Sequence, residues 1–314
     1  MKVLVAGATG ALGRQLVPKL AANGHEVVGM TRSTSKRDAI RQLGARPVVA
    51  DALDPDDVAR AVAEAEPDAI VHELTALSGS LDLRRFDRDF ALTNRLRTEG
   101  TDHLLAAGSA VGVRRFVAQS FAGWPFARSG GAVKVEGDPL DPAPAEAMRR
   151  TLDAIRYLEA AVTSADWTEG VVLRYGGLYG PGTSLDAAGE HTEMIRKRKF
   201  PVVGDGAGVW SFVHVEDAAD ATVAAVERGR RGIYNIVDDE PAPVAEWLPE
   251  IARALGAKPP HRVPRWIGRA LAGEAATVMM TEVRGASNVK AKAFLGWQPR
   301  HASWRDGFAD LAAG

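Results

Sequence analysis

Gly7, Gly10 and Gly13 stand three apart in VLVAGATGALGRQLV (3–17), where an apolar run meets an amphipathic segment. A strand that turns into a helix at such spacing leaves its backbone bare. Gly7 permits the tight turn, Gly10 lets the chain approach a pyrophosphate, and Gly13 lets the helix pack on the strand. The amides that open the helix, around Thr9, Ala11 and Leu12, then face the anion. The stretch reads as a dinucleotide site rather than a plain turn. The end of the second apolar run selects the nucleotide. A carboxylate there would hold both ribose hydroxyls of NAD. Here VVGMTRSTSKR offers Thr31, Arg32 and Ser33, and a guanidinium suits a 2′-phosphate. NADP(H) is therefore expected in preference to NAD(H). The competing reading is a solvated basic loop, since Lys36 and Arg37 follow.

These residues need a scaffold. Short apolar runs lie at 2–6, 26–30, 47–50, 69–72 and 115–119, with helical patterns starting near Ala11, Lys36, Pro55 and Arg84. That alternation predicts an α/β fold with a doubly wound parallel sheet. A helix is expected over about 145–164 and a sixth strand at 171–175. Past Gly180-Pro181-Gly182 the rhythm breaks up, and five of the seven tryptophans lie beyond residue 200. Residues 1–180 are read as the nucleotide-binding domain, its sheet completed by about 212–238. Residues 181–211 and 239–314 are read as a smaller C-terminal substrate lobe. The stretch 130–146 is a turn-rich loop of the kind that shapes sites.

Composition narrows the function. The chain has 314 residues, 39 Lys and Arg against 40 Asp and Glu, and a net charge of -1. That balance argues against nucleic acid as the main partner. With no cysteine there is no thiolate nucleophile, disulfide framework or Cys-based metal site. Met1 and Lys2 lead straight into VLVA, without room for a signal peptide. No apolar run approaches the ~20 residues of a membrane helix. A soluble cytoplasmic protein with a small-molecule substrate and no membrane partner is the expectation.

Further stretches resemble, in order, the short-chain dehydrogenase/reductase superfamily in its extended, epimerase/dehydratase-like branch. The glycine turn matches. So do Asp51-Ala52 after the third strand, VHELTAL (71–77), Thr93-Asn94 with Gly100-Thr101, VAQSF (117–121), LRYGGLYGPG (173–182), GDGAGVWSFVHVEDAADA (204–221), YNIV (234–237) and LGWQP (295–299). The resemblance covers nearly the whole chain. It implies a Rossmann-type domain with the lobe over the nicotinamide. It implies cofactor contacts at Asp51, Ala52, Leu74, Thr75, Ala76, Asn94, Tyr175, Gly176 and Leu178, and a catalytic Ser120. It also implies a homodimer through the helices near 84–108 and 145–164.

One part of the resemblance fails. The family's proton relay is a Tyr with a Lys four residues on, in the helix after Ser120. Counting back from Arg174, those positions fall at Met148 and Leu152, in a helix without lysine; Tyr157 is followed four on by Ala161. Tyr175 is the candidate replacement acid, against a reading in which it only packs. Glu73 is a candidate base, against a cap or a solvated carboxylate. Ser120 can polarise a carbonyl or simply be a satisfied strand-end hydroxyl. Phe121 and Trp124, with His191 in the lobe, are expected at the substrate. No metal is expected, since no histidine pair has ligand spacing, and the absence of GxSxG argues against a serine hydrolase. The run Arg196–Lys199 is read as a solvated helix face, with a sugar diphosphate as the other occupant. The leading expectation is reduction of a small carbonyl or activated alkene, because an activated alkene demands less of an acid. The alternatives are a nucleotide-sugar epimerase or dehydratase, and a non-catalytic NADP(H)-binding redox sensor.

Overall fold

The computed structural model describes residues 1–77 and 82–313. Its frame is a seven-stranded sheet. The strands are β1 (Lys2–Ala6), β2 (Glu26–Thr31), β3 (Arg46–Val49), β4 (Ala69–His72), β5 (Arg115–Phe121), β6 (Glu169–Tyr175) and β7 (Gly232–Ile236). They lie in the order β7-β6-β5-β4-β1-β2-β3, and every pairing is parallel. Runs such as VLVA and AIVH are buried on both faces, as a sheet covered on two sides requires. The chain leaves β1 toward β2 and β3, then returns to the other side of β1 at β4. That reversal opens a crevice at the carboxyl ends of β1 and β4, where α/β sheets bind their ligands.

On one face lie α1 (Ala11–Ala22) and, arriving much later, a helix over Val215–Arg228. They bury Leu16, Val17, Ala218 and Val226 against Val3, Val5 and Val71. The opposite face carries α2 (Pro55–Ala65), α3 (Thr101–Ala110) and α4 (Arg149–Ser164). α2 shows how local sequence sets a boundary. The Asp54 carboxylate accepts from the amides of Asp56 and Asp57, Pro55 fills the first turn, and Val58, Ala61, Val62 and Ala65 form the buried stripe. The Val215–Arg228 helix is named α5 below. A separate core gathers Phe212, Trp247, Trp304 and Phe308.

Two expectations are corrected. The helix beginning near Arg84 is not continuous. It is a chain of short pieces, Leu83–Arg85, Phe86–Asp89 and Ala91–Arg95, then a π-helix at Leu96–Gly100 that leads into α3. The loop 130–146 contains a strand, Val133–Lys134, paired in parallel with Gly285–Ala286. Among the described residues no helix is long and apolar enough to cross a membrane.

Candidate active site

The glycine turn closes on β4. Gly7 has φ +101°, and a Cβ on it would stand 2.7 Å from the Glu73 carbonyl oxygen. A Cβ on Gly13 would lie 2.3 Å from the Gly7 carbonyl, so the first turn of α1 rests directly on the loop. Gly10 caps α1 without a side-chain bond. The amides of Ala11, Leu12 and Gly13 therefore open the helix with no capping side chain, and a dinucleotide phosphate fits that bare cradle. Thr9 lies in the same turn, its carbonyl accepting from Arg14 Nε at 3.0 Å.

Along the same edge, Thr31 ends β2, and its hydroxyl accepts the Ser33 amide at 3.2 Å. Arg32 is exposed and makes no hydrogen bond or ion pair with a described residue. Asp51 is exposed and accepts the Leu53 amide, while Ala52 is buried and accepts from His103 Nδ1. Leu74 is half-buried and Thr75 exposed; the Ala76 amide donates to Thr93. Gly176 packs against the Ser211 carbonyl, and Leu178 lies in the short strand Gly177–Tyr179 beside Phe212–His214. Asn94 is turned toward α4, its Nδ2 donating to Thr151 at 3.0 Å.

Glu73 follows β4 directly, and its amide donates to the Ala6 carbonyl at 2.8 Å. Its carboxyl group is buried beneath the glycine turn. Oε1 lies 3.0 Å from the Tyr175 phenol, which is 2.7 Å from Thr222 on α5. Oε2 is buried without a partner among the described residues. Burial raises the Glu73 pKa to about 8, so near neutral pH it is largely the protonated acid. Tyr175 is 1% exposed, and burial, then the Glu73 charge, raise its phenol well above the usual range. Thus the structure joins Glu73 and Tyr175 into one network. Tyr175 is not a free acid facing solvent, and Thr222 is a member that sequence reasoning missed.

Ser120 also departs from expectation. Strand alternation puts it on the side of Phe116 and Ala118, facing α4, whereas Phe121 turns the other way. Its hydroxyl donates to Glu159 Oε1 at 2.7 Å. Glu159 is held by Arg174, whose Nε and Nη2 donate at 2.7 and 2.6 Å. Ser120 thus belongs to a buried lock between α4 and the sheet. Glu159 and Arg174 carried no sequence signal for pairing, being on different elements.

Beside this lock the site is greasy. Met148, just before α4, packs with Phe86, Phe90, Ala275, Val278 and Met279, and Trp124 lies against the group. Phe86 stacks on Phe90 at 4.2 Å and meets Trp124 edge-on at 5.4 Å, and Trp124 reaches Phe121 at 6.4 Å. Leu152 is fully buried. Helix α4 contains Tyr157 and no lysine; Tyr157 is on its outer side, donating to Asp102. His191 is not at this corner. It packs near Phe200, with Nδ1 3.1 Å from Ser184 Oγ, and burial lowers its pKa. In the basic run, Arg196 and Lys197 pair with Glu193, and Arg198 donates to the Pro259 carbonyl. His214, Asp217 and His301 gather closely enough to suggest a metal. The Asp217 oxygens, however, already accept the amides of Arg300 and His301 and the His301 ring. Their separation in sequence hid this cluster.

With that geometry in place, comparison with known proteins is decisive at the level of family. Residues 3–237 match the model of the NAD dependent epimerase/dehydratase family. The chain belongs to that family. It is 47% identical over 310 residues to a 3-diazoavenalumate denitrifying reductase of a Streptomyces species, covering 98% of this chain and 99% of that one. It is 28% identical to a UDP-glucose 4-epimerase of Mycolicibacterium smegmatis, over 96% and 95% of the two chains. The Thermus thermophilus UDP-glucose 4-epimerase solved with NAD superposes with a TM-score of 0.75 at 26% identity, over 100% and 99% of the two chains. The chain is accordingly an NAD(P)-dependent oxidoreductase, and a nicotinamide dinucleotide is the cofactor its glycine cradle fits.

Proposed function

We propose that this protein is an NADP(H)-dependent reductase of an electrophilic, largely apolar small molecule. The observation that carries this reading is that Met148 and Leu152 are both buried apolar side chains, Met148 packed into a floor of Phe86, Phe90 and Trp124. Neither side chain moves protons. The substrate class that suits such a site accepts hydride without a proton delivered in the same step: an activated alkene, an activated carbonyl or a diazo compound. The diazo class is favoured by the 47% identity to a reductase whose name specifies one. When bound and reduced, the nicotinamide supplies the hydride.

The chain's own part is positional. The bare amides of Ala11, Leu12 and Gly13 bind the pyrophosphate of the dinucleotide, and the exposed Arg32 its 2′-phosphate. Phe121, Trp124 and the aromatic floor exclude water and orient a flat substrate. Glu73 and Tyr175 are the proton-holding groups under the turn, joined through Oε1 of Glu73 and the phenol. Ser120 serves the α4 lock. Cofactor contacts at Asp51, Ala52, Leu74, Thr75, Ala76, Gly176 and Leu178 belong to this reading, as does a homodimer through the segments near 84–108 and 145–164. Light scattering measures the latter.

The test is turnover. Purified protein with NADPH should consume nicotinamide absorbance with enones, activated carbonyls or aryl diazo compounds. Interconversion of UDP-sugars instead would establish the epimerase reading. Tight NADPH binding with no turnover across the panel would leave the redox sensor. Tyr175→Phe and Glu73→Gln probe the buried pair; unchanged turnover in both removes it from the mechanism.

A further inference from the structure

Arg97 is an unusual cation among the described residues. It is 6% exposed, yet its side chain makes no hydrogen bond or ion pair with a described residue, and Nη1 is buried without a partner. Glu159, the carboxylate whose charge acts on it, already has both oxygens bonded by Arg174. His72, which also faces it, is held neutral by burial, its pKa lowered to about 4. Counting Arg97 and Arg174 against Glu159, one positive charge is left over beneath the strand ends. A buried charge without a counter-ion is costly, and such a cost persists where a ligand supplies the missing partner. The backbone singles out the same residue, because Arg97 lies in the π-helix Leu96–Gly100, an irregularity frequent at functional sites. Its guanidinium carbon stands 5.9 Å from the centre of the Phe90 ring, the ring that stacks on Phe86 and leads on to Trp124.

We propose that Arg97 recognises the anionic end of the substrate, and that the site takes a flat aromatic carboxylate, its ring on the Phe90–Phe86–Trp124 floor and its carboxylate on the guanidinium. The claim rests on the reductase reading and names the substrate class for it. A carboxylate matches the planar fork of arginine and lies in the plane of the ring that carries it.

The test uses protein saturated with NADP⁺ and two probes of nearly equal shape, cinnamate and the neutral cinnamamide, titrated by calorimetry. The wild type should bind cinnamate at least about tenfold tighter than cinnamamide, the value of one charge-assisted contact. Arg97→Met should abolish that preference, leave cinnamamide and NADP⁺ affinities unchanged, and melt no lower than the wild type, because it removes an unpaired buried charge. Arg97→Lys should keep a weakened preference, which decides the matter if Arg97→Met does not fold. Equal binding of the probes, no binding of cinnamate, or a preference that survives Arg97→Met overturns the proposal. Loss of NADP⁺ binding by the wild type would sink the reductase reading as well; intact NADP⁺ binding without preference for the acid sinks this proposal alone.

Discussion

Glu73 has its charge suppressed by its surroundings, and the sign of the resulting pH effect is fixed. Its folded pKa is about 8 against an ordinary 4.5. Below the ordinary value both states are protonated and nothing depends on pH. Between the two values the unfolded chain ionises first, so stability falls as pH rises and levels off above the folded value. Asp238, also raised by burial to about 8, acts in the same direction. Buried His72, lowered to about 4, opposes this below its ordinary 6.5, so the melting temperature should drop between about pH 6.5 and about pH 8, and Glu73→Gln should remove roughly half of that slope. An unchanged slope would mean that Glu73 is ionised in the folded protein. At the other end of the nucleotide, Arg32→Ala should weaken NADPH by about 1.5–3 kcal/mol and NADH hardly at all. Equal losses in fluorescence titrations would refute the 2′-phosphate contact.

At the scale of elements, α4 is fastened at two points. Asp87, from the preceding segment, accepts the amides of Arg150 and Thr151 and caps the helix from outside. Further along, Glu159 binds Ser120 of β5 and Arg174 of β6. Both members of that ion pair are almost fully buried, so removing one strands the other. Glu159→Ala should cost about 3–5 kcal/mol in urea unfolding. Ser120→Ala, which loses one hydrogen bond to a buried carboxylate, should cost about 1.5–3 kcal/mol and leave turnover intact. A collapse in turnover at normal stability would restore Ser120 to the chemistry. Gly13→Ala drives a methyl into the Gly7 carbonyl. It should abolish nucleotide binding by shifting α1, and unaltered NADPH affinity would contradict the close packing of helix on turn.

The whole molecule is interleaved. β7 and α5 come after the excursion over residues 181–211, yet β7 completes the sheet beside β6 and α5 covers the face shared with α1. A fragment ending near Gly180 would expose Val3, Val5 and Leu16. It should be insoluble or bind the dye ANS, where a self-sufficient nucleotide domain would give a cooperative melt.

Much of this was legible along the chain, because the sheet arises from local patterns. Runs of Val and Ile, a capped helix such as α2 and three spaced glycines announce themselves within a dozen residues. The broken helix near Arg84 was not legible, since a π-helix has the same apolar content as the α-helix it interrupts. Nor were Glu159 with Arg174, Tyr175 with Glu73 and Thr222, or Arg97 against Phe90. Each joins elements far apart in sequence, and a charged residue at helical spacing looks solvated until packing buries it. The sequence alone determined a nucleotide-binding α/β chain of this family, with no lysine in the helix after Ser120, because backbone conformation and residue type are local properties. Only the tertiary structure decided which polar groups are satisfied, that Arg97 has no ion pair among the described residues, and that Ser120 faces a helix, because burial and partnership exist only once distant elements meet.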